Sequence, residues 1–205
     1  MTSQFTPTPL TRVRRLAQAA NYDRATVHAI IDAGYVCHIA FCVDGQPHCI
    51  PTAHWRIGDK LYIHGSNGSR LMKALAAGAP ASVCITHVDG LVLARSAFSH
   101  SMNYRSAMLY GQFEVVSDEE EKWASFETFM EKVQQGRWEQ ARKPNAQEYA
   151  ATTVLALTIE QAVAKTRSGP PKDDDADMDW PVWAGVLPIE TRFGSPIAHR
   201  ADATV

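Results

Sequence analysis

The chain has 205 residues, 45% of them hydrophobic and 20% charged, the ordinary range for a globular protein with one sizeable core. A formal net charge of -2 excludes a global basic field, so nucleic acid is not expected as a partner and any anion must be held locally. No apolar run approaches the ~20 residues of a spanning helix, the N-terminus has no apolar leader, and Cys37, Cys42, Cys49 and Cys84 form no C-x-x-C pair. The expectation is therefore a soluble, cytoplasmic protein with no membrane contact and no structural zinc.

In chain order, residues 21–33 read as an amphipathic helix with Asp23 as cap, Val27, Ile30 and Ile31 on one face, and Gly34 at its end. The period then changes to strands over 35–43, 47–57 and 60–64, with turns at Asp44-Gly45 and Gly58-Asp59. On the third strand Leu61 and Ile63 face the core, while Tyr62 and His64 face the other side, where a ligand can be met.

Residues 62–73 pass from that strand through the small-residue loop His64-Gly65-Ser66-Asn67-Gly68-Ser69 into a helix over about 69–77 that opens with Arg70 and Lys73. This is the geometry of a phosphate cradle. Unpaired N–H groups and the positive end of the helix dipole hold an anion, and two cations one turn apart add charge. The same residues also read as a plain strand-to-helix turn with two solvated cations.

Strand patterning resumes over 81–88, turns at Asp89-Gly90, and continues over 91–98 and 104–116. A capping box at Ser117-Asp118-Glu119-Glu120 starts a helix with Trp123, Phe126, Met130 and Val133 at helical spacing before Gly136. A basic connector over 137–144, a short helix over 146–151 and a strand over 154–165 follow. The order predicts a mainly β protein, a small closed or nearly closed antiparallel barrel with peripheral helices. Residues 1–205 are expected to form a single domain, with a flexible acidic loop around 168–179 and a C-terminal extension that fades into small residues from Arg200. Asp173, Asp175 and Asp177 mimic a calcium loop, but Met178 and Ala184 stand where glycine and a bidentate glutamate are needed, so no metal is expected.

Taken together, Asn21-Tyr22-Asp23, Ile50-Pro51-Thr52, Tyr62-Ile63-His64-Gly65 with Arg70 and Lys73, Asn103-Tyr104-Arg105-Ser106 with Gly111, and Trp183-Ala184-Gly185-Val186-Leu187-Pro188 form an ordered set. That set resembles the pyridoxamine 5'-phosphate oxidase-like FMN-binding split-barrel family, in its nitroimidazole-resistance-like branch, over roughly residues 12–197. The resemblance implies an antiparallel split β-barrel and a homodimer with FMN between the subunits. It implies that Thr52 and Ala53 lie along the isoalloxazine, that His64, Gly65 and Ser66 approach the flavin and ribityl chain, and that Arg70 and Lys73 hold the phosphate. Tyr104, Arg105 and Ser106 would add polar contacts, and Trp183 would cap the cleft; Arg105 also reads as a surface cation and Trp183 as a core residue. The histidine that this branch places near the flavin falls by position on His54 or His64, either of which also reads as a structural residue.

The implied activity is FMN-dependent transfer of a hydride or electrons to a small organic acceptor. The vitamin B6 oxidase itself is not expected, because its C-terminal arginine-containing signature is absent and Arg192 stands alone. A flavin-binding or flavin-sensing protein without turnover is the alternative, followed by a haem-binding one with a histidine ligand.

Overall fold

The structure, a computed structural model, describes residues 3–199; the tail from Arg200 lies outside them. By contact density the described residues divide into two compact units, one of residues 3–87 and 104–167 and the other of 88–103 and 168–199.

The larger unit begins with β1 (Ala20–Asn21) and α1 (Arg24–Ala33). The Asp23 side chain accepts from Thr26 N and caps α1, whose Val27, Ile30 and Ile31 are buried. Next come β2 (Val36–Val43) and β3 (Gln46–Ala53), paired from Val36↔Ala53 to Val43↔Gln46. Asp44 and Gly45 both take positive φ, 50° and 75°, as a two-residue hairpin turn with right-handed strand twist demands. The strand expected over 47–57 is broken at His54, after which β4 (Trp55–Ile57) joins β5 (Lys60–Ser66) in a second sheet. α2 (Arg70–Ala76) follows β5 and buries Leu71, Met72 and Leu75.

β6 (Ala81–Leu93) is one 13-residue strand, so the turn expected at Asp89-Gly90 does not form. β7 (Ser101–Gly111) and β8 (Glu114–Val115) divide the next expected strand. α3 (Glu119–Val133) is capped by Asp118, which accepts from Glu121 N, rather than by Ser117. α4 (Arg137–Gln140) and α5 (Ala146–Ala151) lead to β9 (Thr152–Thr158) and β10 (Gln161–Arg167). The expected strand over 154–165 is thus two strands, and they lie in different sheets. One sheet runs β1-β10-β7-β6-β2-β3; the other runs β4-β5-β9-β8, with every registered pair antiparallel.

The fold is the split barrel. Its interior is filled by alternate residues of both sheets, Ile39 and Phe41, Leu61 and Ile63, Val83 and Ile85, Ala107 and Leu109, Leu155 and Leu157, closed by the apolar faces of α1 and α2. The other face of the small sheet is largely covered too, which narrows the expectation that it can meet a ligand to the position of His64, where a cavity opens. Trp55, Tyr62, Val154 and Ala156 pack there against Phe126 and Phe129 of α3, and the Tyr62 hydroxyl donates to Glu121 Oε1 over 2.6 Å.

In the smaller unit, β11 (Gly185–Pro188) pairs with the end of β6, Gly185↔Leu93 to Pro188↔Gly90. A Cβ on Gly90 would stand 3.0 Å from Val186 Cγ1 and 3.1 Å from Leu187 O, so glycine here admits a neighbouring strand. Asp173 accepts from the backbone N of Arg95 (2.8 Å) and Ser96 (3.3 Å) and from Arg95 Nη1 (3.2 Å). One point of the acidic loop is pinned by those bonds.

Candidate functional site

Two cavities of the larger unit flank the β5–α2 passage. The first, of about 520 Å³, is lined by Val43, Gly68, Arg70, Lys73 and Ala74. Helical spacing brings Arg70 and Lys73 to this one hollow, and neither side chain makes a hydrogen bond or ion pair among the described residues. The loop before them is stapled. Asn67 N donates to Ala151 O (3.1 Å) and Ser69 N to Ser66 O (2.9 Å). Gly68 N donates to Ser66 Oγ (3.3 Å), Asn67 Nδ2 to Ala150 O (2.8 Å), and Thr153 Oγ1 to Asn67 Oδ1 (2.7 Å). Three loop N–H groups are therefore already used, contrary to a cradle built from the loop. The donors left for an anion are those of the first turn of α2, since Ser69 makes no side-chain cap bond.

Gly65 and Ser66 end β5, opposite Thr153 and Thr152. Thr52 and Ala53 end β3, opposite Cys37 and Val36, both half-buried. Tyr104, Arg105 and Ser106 lie on β7 opposite Arg167, Thr166 and Lys165, and Ser106 Oγ donates to Lys165 O over 3.1 Å. Trp183 belongs to the smaller unit, where the residue is 66% exposed and its ring would stand 2.7 Å from a Cβ on Gly185. Arg192, also there, pairs with Glu190.

The two candidate histidines differ. His54 is only 1% exposed and its Nε2 is 2.9 Å from Ile31 O, tying β4 to the end of α1. Burial pushes its pKa down to about 4. His64 stands between Trp55 and Phe129, with ring centroids 5.4 and 4.9 Å away. Burial lowers its pKa as well, and its Nδ1 is sealed from solvent with no hydrogen-bond partner.

His64 opens on the second cavity, of about 290 Å³, with Phe126, Phe129, Met130, Trp138, Arg142, Pro144, Glu148 and Thr152 in its walls. Its far side is held together by Arg142 and Glu148, bonded through two N–H···O contacts of 2.9 and 2.8 Å. Glu148 also closes a capping box with Asn145 at the start of α5. Lys143 Nζ lies 3.9 Å above the Trp138 ring and Lys122 Nζ 3.9 Å above Tyr149. Sequence reasoning singled out His64 but not this cavity; the only local signal was Phe126 and Met130 at helical spacing ahead of Trp138.

A family model described as pyridoxamine 5'-phosphate oxidase matches residues 23–166. Among solved structures, the chain is similar to the flavocytochrome Anf3 from Azotobacter vinelandii, at 39% identity and a TM-score of 0.91 over 98% of this chain and 95% of that one. It is similar to an FAD and haem binding protein from Mycobacterium smegmatis at 37% identity and a TM-score of 0.85, covering 91% of each chain. A 5-nitroimidazole antibiotic resistance protein from Bacteroides thetaiotaomicron shares the fold, at 20% identity and a TM-score of 0.60 over 71% of this chain and 85% of that one. No curated protein matches the chain. Among the described residues no helix is long and apolar enough to cross a membrane.

Proposed function

We propose that this chain, which belongs to the pyridoxamine 5'-phosphate oxidase family, is a flavin-dependent oxidoreductase that passes a hydride or electrons to a small organic acceptor, working as a cytoplasmic homodimer. The observation that carries the reading is the hollow where Arg70 and Lys73 stand unpaired beside the uncapped first turn of α2. Those groups fit a phosphate monoester or diester: two cations for its charge and unused N–H donors for its oxygens. FMN and FAD both carry that phosphate; the resemblance favours FMN, while two similar proteins are a flavocytochrome and an FAD and haem binding protein.

A bound flavin supplies the redox chemistry. In this reading Arg70 and Lys73 anchor its phosphate and Thr52 and Ala53 line its ring, with polar contacts from Gly65, Ser66, Tyr104, Arg105 and Ser106. His64 is the better placed of the two histidines, since it opens on a cavity, whereas His54 is closed in by α1. Kept neutral by burial, His64 holds a proton on one ring nitrogen and a lone pair on the other.

The test is absorbance and mass analysis of the cofactor released from purified protein. Stoichiometric FMN or FAD, reoxidised by a nitroaromatic or quinone acceptor faster than free flavin is, supports the proposal. Bound flavin without that acceleration points to a flavin carrier or sensor, and a protein that neither contains nor takes up flavin refutes the reading. A second reading, haem binding, is favoured by His64: an imidazole with an unpartnered buried Nδ1, aromatic walls and a guanidinium at the rim is a donor set that fits haem. A Soret band lost in His64→Ala would establish it.

A further inference from the structure

Residues 88–103 and 168–199 form a unit with little interior of its own. Val92 and Ala94 are its only buried apolar side chains among the described residues, while Trp180, Trp183, Leu187, Phe193 and Ile197 are each more than half exposed and Phe98 almost wholly so. Two small side chains offer little against the chain entropy of ordering so long a segment. A run of large apolar side chains left in water, two of them tryptophans, marks a contact surface.

Charge narrows what covers it. The smaller unit carries seven carboxylates and three Lys or Arg side chains, whereas residues 3–87 and 104–167 carry fourteen and sixteen. An acidic segment is repelled by anionic lipid and drawn to the mildly basic body of another copy of the chain. That body has a groove to receive it, of about 810 Å³, with Leu10, Ala40, Cys42, Pro47, Pro80 and Tyr110 among its walls. Ala40 and Cys42 alternate along β2 with the core residues Ile39 and Phe41, so they point away from the barrel interior. Pro47 and Pro51 lie on β3, an edge strand, and lack the N–H groups that an added strand would need, which favours contact through faces.

We propose that residues 180–189 of one copy lie in this groove on a second copy, and that the exchange is mutual. One arm and one groove per chain close a two-fold pair and leave neither surface over, which stops growth at the dimer. The inference rests on the homodimeric reading and gives it its surfaces; no cofactor enters it.

The experiment is sedimentation equilibrium of the full-length protein beside Trp180→Glu/Trp183→Glu, together with the rate at which iodoacetamide alkylates Cys42, followed by peptide mass analysis. Both tryptophans and the Cys42 thiol are exposed in the single chain, and far-UV circular dichroism verifies that the variant keeps the fold. The parent is expected to be a dimer, and the variant to dissociate with a constant about a hundredfold higher or more, the range of paired interface tryptophans. Alkylation of Cys42 should quicken in the variant by about tenfold as its cover leaves. A monomeric parent, a dimer that survives in the variant, or a dimer lost with no change at Cys42 overturns the proposal. A monomer with flavin absorbance would strike this inference and leave the flavin reading standing, whereas a dimer without flavin would do the reverse.

Discussion

Gly65 and Met72 are packed so closely that a methyl group on Gly65 would stand 2.9 Å from Met72 Cγ. β5 and α2 meet there, and Met72 is almost wholly buried. The glycine that the family resemblance places against the flavin is thus also required by packing alone. Gly65→Ala should destabilise the protein by about 1–3 kcal/mol through overpacking, read as a lower urea midpoint. In Gly65→Ala/Met72→Ala the combined loss should be smaller than the sum of the single losses, because the second change makes room for the first.

Arg70 and Lys73 should act together on flavin retention. Each replacement by Ala should raise the flavin dissociation constant, Arg70→Ala by the equivalent of about 1.5–3 kcal/mol, with the double variant weakest. Fluorescence titration at two salt concentrations checks this; an Arg70→Ala dissociation constant equal to that of the parent would place the phosphate elsewhere.

His54 makes stability depend on pH with a definite sign. Its folded pKa, about 4, lies below the ordinary 6.5 because burial disfavours the charged ring. The unfolded chain therefore binds the extra proton between these values, and the neutral ring's contribution, complete above pH 6.5, is lost as the pH falls towards 4. The loss should reach roughly 3 kcal/mol. Chemical denaturation from pH 7.5 to 4 should give a steeper decline in the parent than in His54→Gln.

Asp173 fixes residues 95 and 96 through three bonds to one carboxylate. Asp173→Ala should leave two backbone N–H groups without that acceptor, and hydrogen exchange at Arg95 and Ser96 should accelerate while β5 and β9 remain protected. Equal exchange in parent and variant would show that other contacts hold this loop.

Local signals were read well where local chemistry decides the outcome. Asp23 capped α1, and Asp44-Gly45 made the hairpin because few other pairs accept two positive φ angles. Gly90 misled for the opposite reason: the glycine beside an aspartate marks not a turn but the close passage of β11, a partner some 95 residues further along. The breaks at His54 and at Ile159-Glu160 were hidden because the apolar pattern continues across them while the strands change sheets. Arg70 and Lys73 could be placed by helical spacing. The aromatic cavity could not, because it joins His64 to residues 126–152, and no single segment carries its outline.

α5 lines the aromatic cavity through Glu148 and holds the loop that leads into the Arg70–Lys73 hollow. Its first residues are held by Asn145 and Glu148, the partner of Arg142, and the carbonyls of Ala150 and Ala151 receive Asn67 of the loop before α2. Within α5, Glu148 and Ala151 are three residues apart, about 4.5 Å of rise, so the Arg142 pair and the Asn67 loop are joined through less than one helical turn. Strain imposed at one end has a short, stiff route to the other, and thermodynamic linkage makes any resulting cooperativity mutual. If a ligand of the aromatic cavity tightens the hold on an anion at Arg70 and Lys73 by some factor, that anion must tighten the hold on the ligand by the same factor.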